Sequence, residues 1–415
     1  MSSNKNISNN VQKPALDGVN VLDFGWALVG SLTGKHLADN GAKVIRLESA
    51  TRIDLSRTNR MVKISSGNNP DDKPWYSHLN TSKMSFTLNM KHPKAKAIIE
   101  KLVRWADVIN ENFTPGTLTK LGLDYEFVKK IKPEMIMLSS SAYGQTGPMA
   151  YQWGVDGTGL AMSGYLDQTG WPDRIPVGAN APYGDVVLPY INAMAIVAAL
   201  DYKARTGKGQ HIDTSMVEVC IHPNTPVILD LEANNHHHVR SGNRIAHASP
   251  HGVFPCQGDD RWCAIAVFND IEWKALCEVM GSPVWTKDSK FATLESRKQN
   301  EDELEELISR WSAQYVDYDL MNKLQAVGVS AGVVQTMADI VDKDPQLKAR
   351  EFLLPVKNPV LGVFGHPTPS YKFSKTKSQV SYAPNMGEHT ECISLSILGM
   401  SDAEFADLVG QNVFE

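Results

Sequence analysis

The 415-residue sequence is poor in cysteine and has no large excess of charge of either sign. An odd number of scattered cysteines argues against a disulfide framework and favours a reducing cytoplasm; these are Cys220, Cys256, Cys263, Cys277 and Cys392. The 41 basic and 46 acidic residues give a net charge of −5, which argues against a protein that mainly holds a nucleic-acid backbone. No apolar run reaches the roughly 20 residues that a membrane span requires. We therefore expect a cytoplasmic globular protein.

The N-terminal stretch MSSNKNISNNVQK has no apolar core. We interpret it as a short disordered lead-in, and as neither a signal peptide nor a membrane anchor.

What the first 140 residues do contain is an alternation of strand-like and helix-like segments. The strand-like segments are VNVLDF (19–24), AKVIRLE (42–48), DVINENF (107–113) and MIMLSSSAYG (135–144). Between them, LTGKHLADNG (32–41) and HPKAKAIIEKLVRWA (92–106) have helical spacing. Such alternation predicts a parallel sheet covered by helices.

The middle of the chain has a different character. Residues 221–242 are polar and read as a loop, whereas HGVFPCQGDDRWCAIAVF (251–268) predicts two strands joined by a turn. Helices are predicted around 270–280 and 296–313, and AVGVSAGVVQT returns to a strand pattern beyond Leu324. We therefore assign 14–220 and 325–415 to a large domain, and 221–324 to linkers and a smaller α+β domain.

Several residue patterns that suggest ligand sites have simpler readings. The glycines at 25, 30 and 34 fit neither a dinucleotide fingerprint nor a phosphate loop. His236 to His238 are consecutive, whereas metal ligands are normally two to four residues apart, so we predict polar surface and no metal site. Cys256 and Cys263 lack a second pair and are expected to be packing residues.

Asp185 stands at the start of the apolar segment PYGDVVLPYINAMAIVAAL (182–200). A helix N-cap, worth about 1 kcal/mol, is the ordinary reading of such a residue. However, Pro189 favours a helix that begins near Leu188, which would leave Asp185 in the preceding loop. A carboxylate beside so many apolar residues is partly desolvated, so it is either paired or functional. The residue pattern leaves both alternatives open.

Motifs along nearly the whole chain resemble the class III CoA-transferases of the formyl-CoA and carnitine type. In order they are LDGVNVLDF, LADNGAKVIRLE, NTSK with LNMKHP, ADVINENFTPGTLTKLGLDY, SAYGQTGP, the Gly184-Asp185 pair, ARTGKGQHIDTSM and VGVSAGVVQTMADIVDKDPQLKAR. The resemblance implies an α/β fold with a Rossmann-like large domain built on a parallel sheet, a smaller α+β domain and an interlocked dimer.

The resemblance also implies the chemistry. The family's nucleophile is an aspartate about twenty residues before an Arg-Thr-Gly turn, and Asp185 lies 20 residues before Arg205. It would attack a donor thioester to give a mixed anhydride and then an aspartyl-CoA thioester. Gly184 would let backbone N–H groups approach the developing oxyanion. No tightly bound cofactor is implied, since the CoA thioester is a substrate.

CoA phosphates require cations, and the resemblance supplies candidates. The family's CoA contacts correspond to Lys83, Asn112, Phe113, Lys120 and Tyr143. Lys120 replaces an arginine and Ser141 replaces a lysine of some relatives, which weakens the phosphate assignment, because lysine cannot form a bidentate fork. Arg52 and Arg57 are further candidates, with solvated surface charge as the simpler reading of each.

The acceptor acid is the least determined part of the prediction. The glycine-run loop of formyl-CoA transferases is absent, so HGVFP is expected to close the site over a bulkier acid. The combination of LDFGWALVGSLTGK and NTSKMSFTLNMKHP most resembles succinyl-CoA:(R)-benzylsuccinate CoA-transferase subunits, which pair with a similar subunit. A dicarboxylate acceptor would need a cation, for which Arg174, Arg240 and Arg244 are candidates.

Two rival functions remain open. Acyl-CoA racemases share the fold, but they carry a His-Asp pair where this chain has Val155-Asp156. The chain could also be a non-catalytic CoA-binding subunit of a hetero-oligomer, although the presence of Asp185 argues against this.

Overall fold

A computed structural model describes residues 13–58, 69–178 and 181–414 of the chain. It divides into two compact units. The larger comprises the described residues within Met1–Tyr165, Gly178–Ala233 and Gln346–Glu415, and the smaller comprises Leu166–Val177 and Asn234–Pro345. The lead-in predicted to be disordered lies outside the described residues, except for its last residue, Lys13.

The larger unit is built on a six-stranded parallel sheet with the order β3-β2-β1-β4-β5-β6. Its strands are Asn20–Asp23 (β1), Lys43–Glu48 (β2), Met84–Thr87 (β3), Val108–Glu111 (β4), Ile136–Ser141 (β5) and Gln210–Ser215 (β6). In the register, Val21 lies opposite Val44 on one side and Val108 on the other. The predicted α/β fold class is confirmed. Most residues of the inner strands β1, β2, β4 and β5 are buried, polar ones included, as is usual in a parallel sheet covered by helices.

The helices of the first 234 residues alternate with these strands. They are Val29–Ala38 (α1), Leu55–Thr58 (α2), Pro74–Leu79 (α3), Ala95–Trp105 (α4), Thr117–Lys120 (α5), Tyr125–Ile131 (α6), Asp156–Met162 (α7), Tyr165–Gln168 (α8), Tyr183–Thr206 (α9), Met216–Ile221 (α10) and Thr225–Asn234 (α11). The last of these falls in the segment predicted to be a loop. The loop prediction was wrong for α11 because it relied on the polar Asn and His residues that follow the helix and overlooked the apolar Val-Ile-Leu run inside the helix.

The core of this unit forms where the helices cover the sheet. Leu22, Ile45, Phe86 and Leu102 are completely buried in it. Burying a side chain of this size stabilises a fold by about 1.5–3 kcal/mol.

Helix α9 begins at Tyr183, so the predicted start near Leu188 is wrong and Asp185 lies in the first helical turn. Leu188, Asn192 and Ile196 lie one turn apart on its buried face, and this packing outweighs the preference of proline for a first position. Pro189 lies inside the helix, where it has no N–H to donate to the carbonyl of Asp185 four residues earlier.

Helix α9 is also the one helix among the described residues that is long and apolar enough to cross a membrane, by length and composition only. One third of its apolar window is buried in the chain.

The smaller unit is a three-stranded antiparallel sheet with helices. Its strands are His251–Pro255 (β7), Trp262–Ala266 (β8) and Ser330–Val333 (β9), and its helices include Asp270–Val279 (α12), Leu294–Gln299 (α13), Glu301–Ser312 (α14) and Asp317–Ala326 (α15). The predicted helix at 296–313 is two helices joined at Asn300. Strand β9, from the segment assigned to the large domain, pairs with β8 in this sheet.

The predicted pair of strands within 251–268 is confirmed: the HGVFP segment, which was also expected to close the site, is strand β7 and pairs with β8 along its whole length. Cys256 and Cys263 are buried in the apolar core of the smaller unit.

The C-terminal part of the larger unit completes the chain. It contains Pro345–Ala349 (α16), Leu353–Asn358 (β10), Gly362–Pro367 (β11), Thr390–Cys392 (α17) and Asp402–Gly410 (α18), with β10 and β11 forming an antiparallel pair. Short 3₁₀ or π segments occur at His222–Asn224, Val284–Lys287, Ser289–Phe291, Asp339–Lys343 and Ile393–Ile397.

Candidate active site

A cavity of about 370 Å³ opens at the carboxyl ends of β1, β4 and β5. The strand order reverses between β1 and β4, and ligands of open α/β sheets bind at such a switch point. We call it the Asp185 cavity. It is lined by Trp26, Ala27, Leu28, Val29, Arg52, Leu55, Asn112, Phe113, Thr114, Ser140, Ser141, Ala142, Trp153, Gly154, Val155, Asp185, Leu188 and Met216.

Reciprocal hydrogen bonds fix the two loops that follow β1 and β4. The Trp26 N–H donates to Asn112 Oδ1 at 2.7 Å, and Asn112 Nδ2 donates to the Trp26 carbonyl at 3.0 Å. A Cβ on Gly30 would lie 2.3 Å from Asn112 Oδ1, so this approach requires glycine there. The side-chain amide of Asn112, a predicted CoA contact, thus holds the loop after β1, and Asn112 also lines the cavity.

Ala27, in the same loop, has a left-handed backbone with φ of 53°. Its N–H donates to Asp54 Oδ2 at 2.9 Å, and this carboxylate also accepts from Arg46 Nη2 at 2.8 Å. A buried ion pair therefore stabilises the strained loop that forms the cavity wall.

Asp185 faces the cavity with its carboxylate unpaired: among residues 13–58, 69–178 and 181–414 it has no ion pair and no side-chain hydrogen bond. Its backbone N–H donates to Asp156 Oδ1 at 3.1 Å. Burial, and then the charge of Asp156, raise the pKa of the Asp185 carboxyl to about 6. The N-terminus of α9 acts in the opposite direction but does not offset these two effects.

Gly184 creates the space that brings these groups together. A Cβ at this position would lie 2.9 Å from Cys220 Sγ and 3.0 Å from both Asp156 Oδ1 and Met216 Cγ. The glycine therefore admits a carboxylate beside Asp185, in addition to any role with an oxyanion. Burial and the two carboxylates raise the pKa of the Cys220 thiol to about 11, so it remains protonated.

Asp156 is the principal residue that the sequence analysis left without a role. It opens α7 directly after Val155, and it was considered only as half of a racemase pair. Its neighbour Asp185 lies 29 residues away in the sequence, so no local pattern announces their contact.

Two of the predicted phosphate-binding cations lie away from the cavity. Lys83 is buried, and its Nζ lies 2.7 Å from Asp23 Oδ2 and 2.8 Å from the Ser31 carbonyl. Burial lowers its pKa to about 8. Arg57 is also buried, with Nη2 2.8 Å from Glu48 Oε2. Both charges are paired with buried carboxylates inside the fold.

A second cavity of about 310 Å³ adjoins the first and shares Trp26, Arg52 and Phe113 with it. We call it the Lys91 cavity. Its other lining residues are Phe24, Gly25, Arg46, Leu47, Glu48, Ser49, Thr51, Asp54, Asn89, Met90, Lys91, Thr117 and Leu121. The Arg52 guanidinium stacks 5.1 Å from the Trp26 ring centroid, and Lys91 is exposed. The sequence analysis overlooked Lys91, although it lies in the quoted LNMKHP motif.

Lys120 and Tyr143 do not line either cavity. Lys120 is exposed at the end of α5, next to Leu121 of the Lys91 cavity. The Tyr143 ring packs against Gly154, where a Cβ would lie 3.1 Å from its Cε2 atom.

The arginines considered for an acceptor carboxylate belong to the smaller unit. Arg240 pairs with Asp167 at 3.1 Å, and Arg244 pairs with Glu305 at 2.6 Å. Arg174 is 71% exposed and lies 4.0 Å from Asp173. The rings of His236 and His238, in the triple-histidine segment, have centroids 4.5 Å apart.

The resemblance carried by the sequence motifs agrees with the comparisons to known proteins. The model of CoA-transferase family III matches residues 16–390. The chain belongs to CoA-transferase family III. It is therefore an enzyme that transfers CoA between carboxylic acids.

Named relatives show how far the likeness extends. The transferase is 31% identical to a succinyl-CoA–D-citramalate CoA-transferase of Chloroflexus aurantiacus, over 96% of this chain and 98% of the relative. It is 32% identical to a succinate–glutarate CoA-transferase of Agrobacterium fabrum, over 82% and 84%. A crystal structure of a CAIB/BAIF family protein from Brucella suis matches with a TM-score of 0.85 and 31% identity, covering 93% of this chain and all of that one.

The racemase alternative lacks its second proton-transfer group at this site. Val155 lines the Asp185 cavity where racemases carry histidine, and it is 45% exposed. Among the described residues that line either cavity there is no histidine.

Proposed function

We propose that Asp185 is the acyl-carrying nucleophile of this CoA-transferase. Its carboxylate oxygen attacks the donor thioester carbon, the C–S bond breaks, and CoA leaves as a thiolate. The thiolate then attacks the Asp185 carbonyl carbon, which gives an aspartyl-CoA thioester and releases the donor's acid. The acceptor acid follows the same steps in reverse.

The observation that carries this proposal is a half-buried carboxylate that faces an open cavity and has no ion pair among the described residues. A carboxylate in an ion pair would be a poor nucleophile, because attack would have to break the pair. A raised pKa, about 6 here, makes the carboxylate a stronger nucleophile while leaving it mostly ionised at neutral pH.

The two cavities share three lining residues, so one CoA thioester can extend from the Lys91 cavity to Asp185. The Lys91 cavity has aromatic and aliphatic walls from Phe24, Trp26 and Phe113, which suit an adenine ring. Arg52 and Lys91 are its exposed cations, and they suit the phosphates. Because Trp26, Arg52 and Phe113 also line the Asp185 cavity, the pantetheine arm passes between them and brings the thioester to Asp185.

We propose succinyl-CoA as the donor and a dicarboxylic acid as the acceptor. The relatives named for succinyl-CoA, D-citramalate and glutarate support this class. The specific acceptor (R)-2-benzylsuccinate rests on the motif resemblance alone. Leu28, Trp153, Val155 and Met216 give the Asp185 cavity an apolar wall that would accommodate a bulky substituent.

We further propose that the working enzyme is a cytoplasmic dimer of interlocked chains. Val186, Tyr190, Met194 and Val197 form one exposed apolar stripe along α9, with exposed fractions between 39% and 62%. A stripe of this kind is expected to be covered by a second subunit. Light scattering after gel filtration should give twice the chain mass. A heteromer with a similar subunit would instead require co-expression for activity.

The test is a panel of carboxylic acids incubated with succinyl-CoA, acetyl-CoA or formyl-CoA, with new thioesters identified by mass. The wild-type enzyme should exchange CoA with dicarboxylic acids, and hydroxylamine should modify Asp185 only when a donor is present. Asp185→Asn should abolish exchange. Asp201→Asn is the matched control, because this 66% exposed aspartate lies on the same helix away from the cavity. Normal exchange by Asp185→Asn would refute the proposal, and loss of the α-proton to solvent without transfer would favour a racemase.

A further inference from the structure

The close approach of a second carboxylate to Asp185 has no role in the transfer steps above. Asp156 Oδ1 accepts the Asp185 backbone N–H at 3.1 Å, and it sits against the bare Cα of Gly184. Among the described residues neither carboxylate has an ion pair, and only burial and Asp156 shift the pKa of Asp185. Two negative charges in a partly desolvated site repel each other, so the free enzyme holds unfavourable electrostatic energy.

Acylation removes one of the two charges. When Asp185 becomes an anhydride or a thioester, its negative charge leaves, first on the CoA thiolate and then on the released acid. Asp156 keeps its charge, but position 185 is now neutral and the repulsion ends. A charge that destabilises free Asp185 therefore favours the covalent intermediate by the same amount.

We propose that Asp156 is a positioning residue whose charge drives acylation of Asp185, because the repulsion between the two carboxylates is relieved in the acyl-enzyme. This inference rests on the proposed role of Asp185 as the nucleophile. The hydrogen bond that the Asp185 backbone N–H donates to Asp156 Oδ1 holds the second carboxylate beside the first turn of α9.

The other titratable groups around Asp185 do not supply an opposing charge. On α10 the Cys220 thiol has its pKa raised by burial, and at the start of α9 the pKa of Tyr183 is raised as well, so both stay neutral. Arg52 lines the cavity but stacks on Trp26. The remaining groups on packed elements are Lys35 and His36 of α1, which contact Asp39 and Tyr190, Glu218 of α10, and His211 and Asp213 of β6, which bond Ser139 and the Gln145 N–H.

The inference makes a paired quantitative prediction for Asp156→Asn, which keeps the acceptor oxygen and removes the charge. The acid limb of the kcat/KM profile should move to lower pH, because Asp185 would lose its proton more easily. The equilibrium ratio of aspartyl-CoA thioester to free enzyme should fall by about threefold to tenfold. The two changes should match, since a tenfold loss of thioester corresponds to one pH unit.

The measurement uses intact-protein mass spectrometry with the donor that labels the wild type, expected to be succinyl-CoA, beside a pH–rate profile. Asp201→Asn should leave both readouts unchanged. Asp156→Glu keeps the charge, so the acid limb of its kcat/KM profile should lie close to that of the wild type. If Asp156→Asn does not fold, Asp156→Ser provides an uncharged side chain that can still accept the hydrogen bond from the Asp185 backbone N–H.

The outcomes separate this inference from the proposed function. If the wild type forms no thioester on Asp185 with any donor, the nucleophile assignment fails and the inference fails with it. If the wild type forms the thioester and the neutral variant keeps the same limb and the same thioester fraction, the role of Asp156 alone is refuted. A lower rate with neither shift would mean that Asp156 is only structural.

Discussion

Replacing Asp185, the proposed nucleophile, should make this protein more stable. The pKa of Asp185 is about 6 in the folded chain and 3.8 without the fold. Between these two values the folded chain holds a proton that the unfolded chain has lost, so stability falls as the pH rises through this window. Above pH 6 the whole cost remains, and a pKa raised from 3.8 to about 6 corresponds to at most about 3 kcal/mol.

Asp185→Asn removes that charge with little change in shape. We therefore expect the variant to gain about 1–3 kcal/mol in the free energy of unfolding at pH 7.5, with exchange abolished. At pH 4.5 most wild-type molecules already carry the proton in the folded state, so only about a third of the gain should remain. This dependence on pH distinguishes electrostatic relief from improved packing.

Urea unfolding at pH 7.5 and pH 4.5 measures both quantities. Asp201→Asn is again the control, because its carboxylate is 66% exposed and pairs with Arg205 across one helical turn. A surface pair of this kind contributes about 0–1 kcal/mol, so the control should change little at either pH. The reasoning is refuted if Asp185→Asn gains nothing at pH 7.5, or gains equally at both values.

Two further predictions follow from buried neighbours. Gly184→Ala should lower the free energy of unfolding by about 1–3 kcal/mol and remove most of the exchange rate, because its Cβ would lie 2.9 Å from Cys220 Sγ. The control Gly157→Ala, whose Cβ would meet open space, should change neither quantity in unfolding and exchange assays. Burial lowers the pKa of His36 to about 3 and of His78 to about 4, so stability should fall as the pH drops below about 6.5, by about 2 kcal/mol per histidine at pH 5. His36→Gln should flatten the pH dependence of the urea midpoint, and an unchanged slope would contradict this.

Four of the six strands of the large sheet were predicted, because each contains a short run of apolar residues, such as Val21-Leu22 in Asn20–Asp23 and Val44-Ile45 in Lys43–Glu48. The strands Met84–Thr87 and Gln210–Ser215 were not predicted, because their sequences MSFT and QHIDTS contain no such run. The presence of helix α9 could be predicted, but the residue at which it begins could not. The preference of proline for the first helical position contributes little free energy, whereas tertiary packing buries Leu188 and Ile196 on one face of the helix and therefore decides where it begins. The polar Asp185 at the edge of that face was visible from the sequence, since a carboxylate beside apolar residues is costly unless it is used.

The neighbours of Asp185 could not be predicted in the same way. Contact with Asp156 depends on how α7 packs against α9, and the bare Cα of Gly184 gives no sequence signal of what fills its space. In the smaller unit, the β7–β8 pair could be predicted because a short turn joins the two strands, whereas the pairing of β8 with β9, more than 60 residues later in the chain, could not.

The two lysines that flank β3 make this limit testable. Lys83 precedes the strand and Lys91 follows it, but only Lys91 lines a cavity, whereas Lys83 is completely buried against Asp23. Lys83→Met leaves the buried Asp23 carboxylate without its cation and should cost about 3–5 kcal/mol in unfolding free energy. Lys91→Met should leave stability within about 0.5 kcal/mol. It should also raise the KM for the CoA donor by about threefold to tenfold, with a weaker dependence on salt than the wild type. If Lys83→Met folds normally and raises KM while Lys91→Met does not, the phosphates lie where the motif resemblance first placed them, and the Lys91 cavity is not the CoA site.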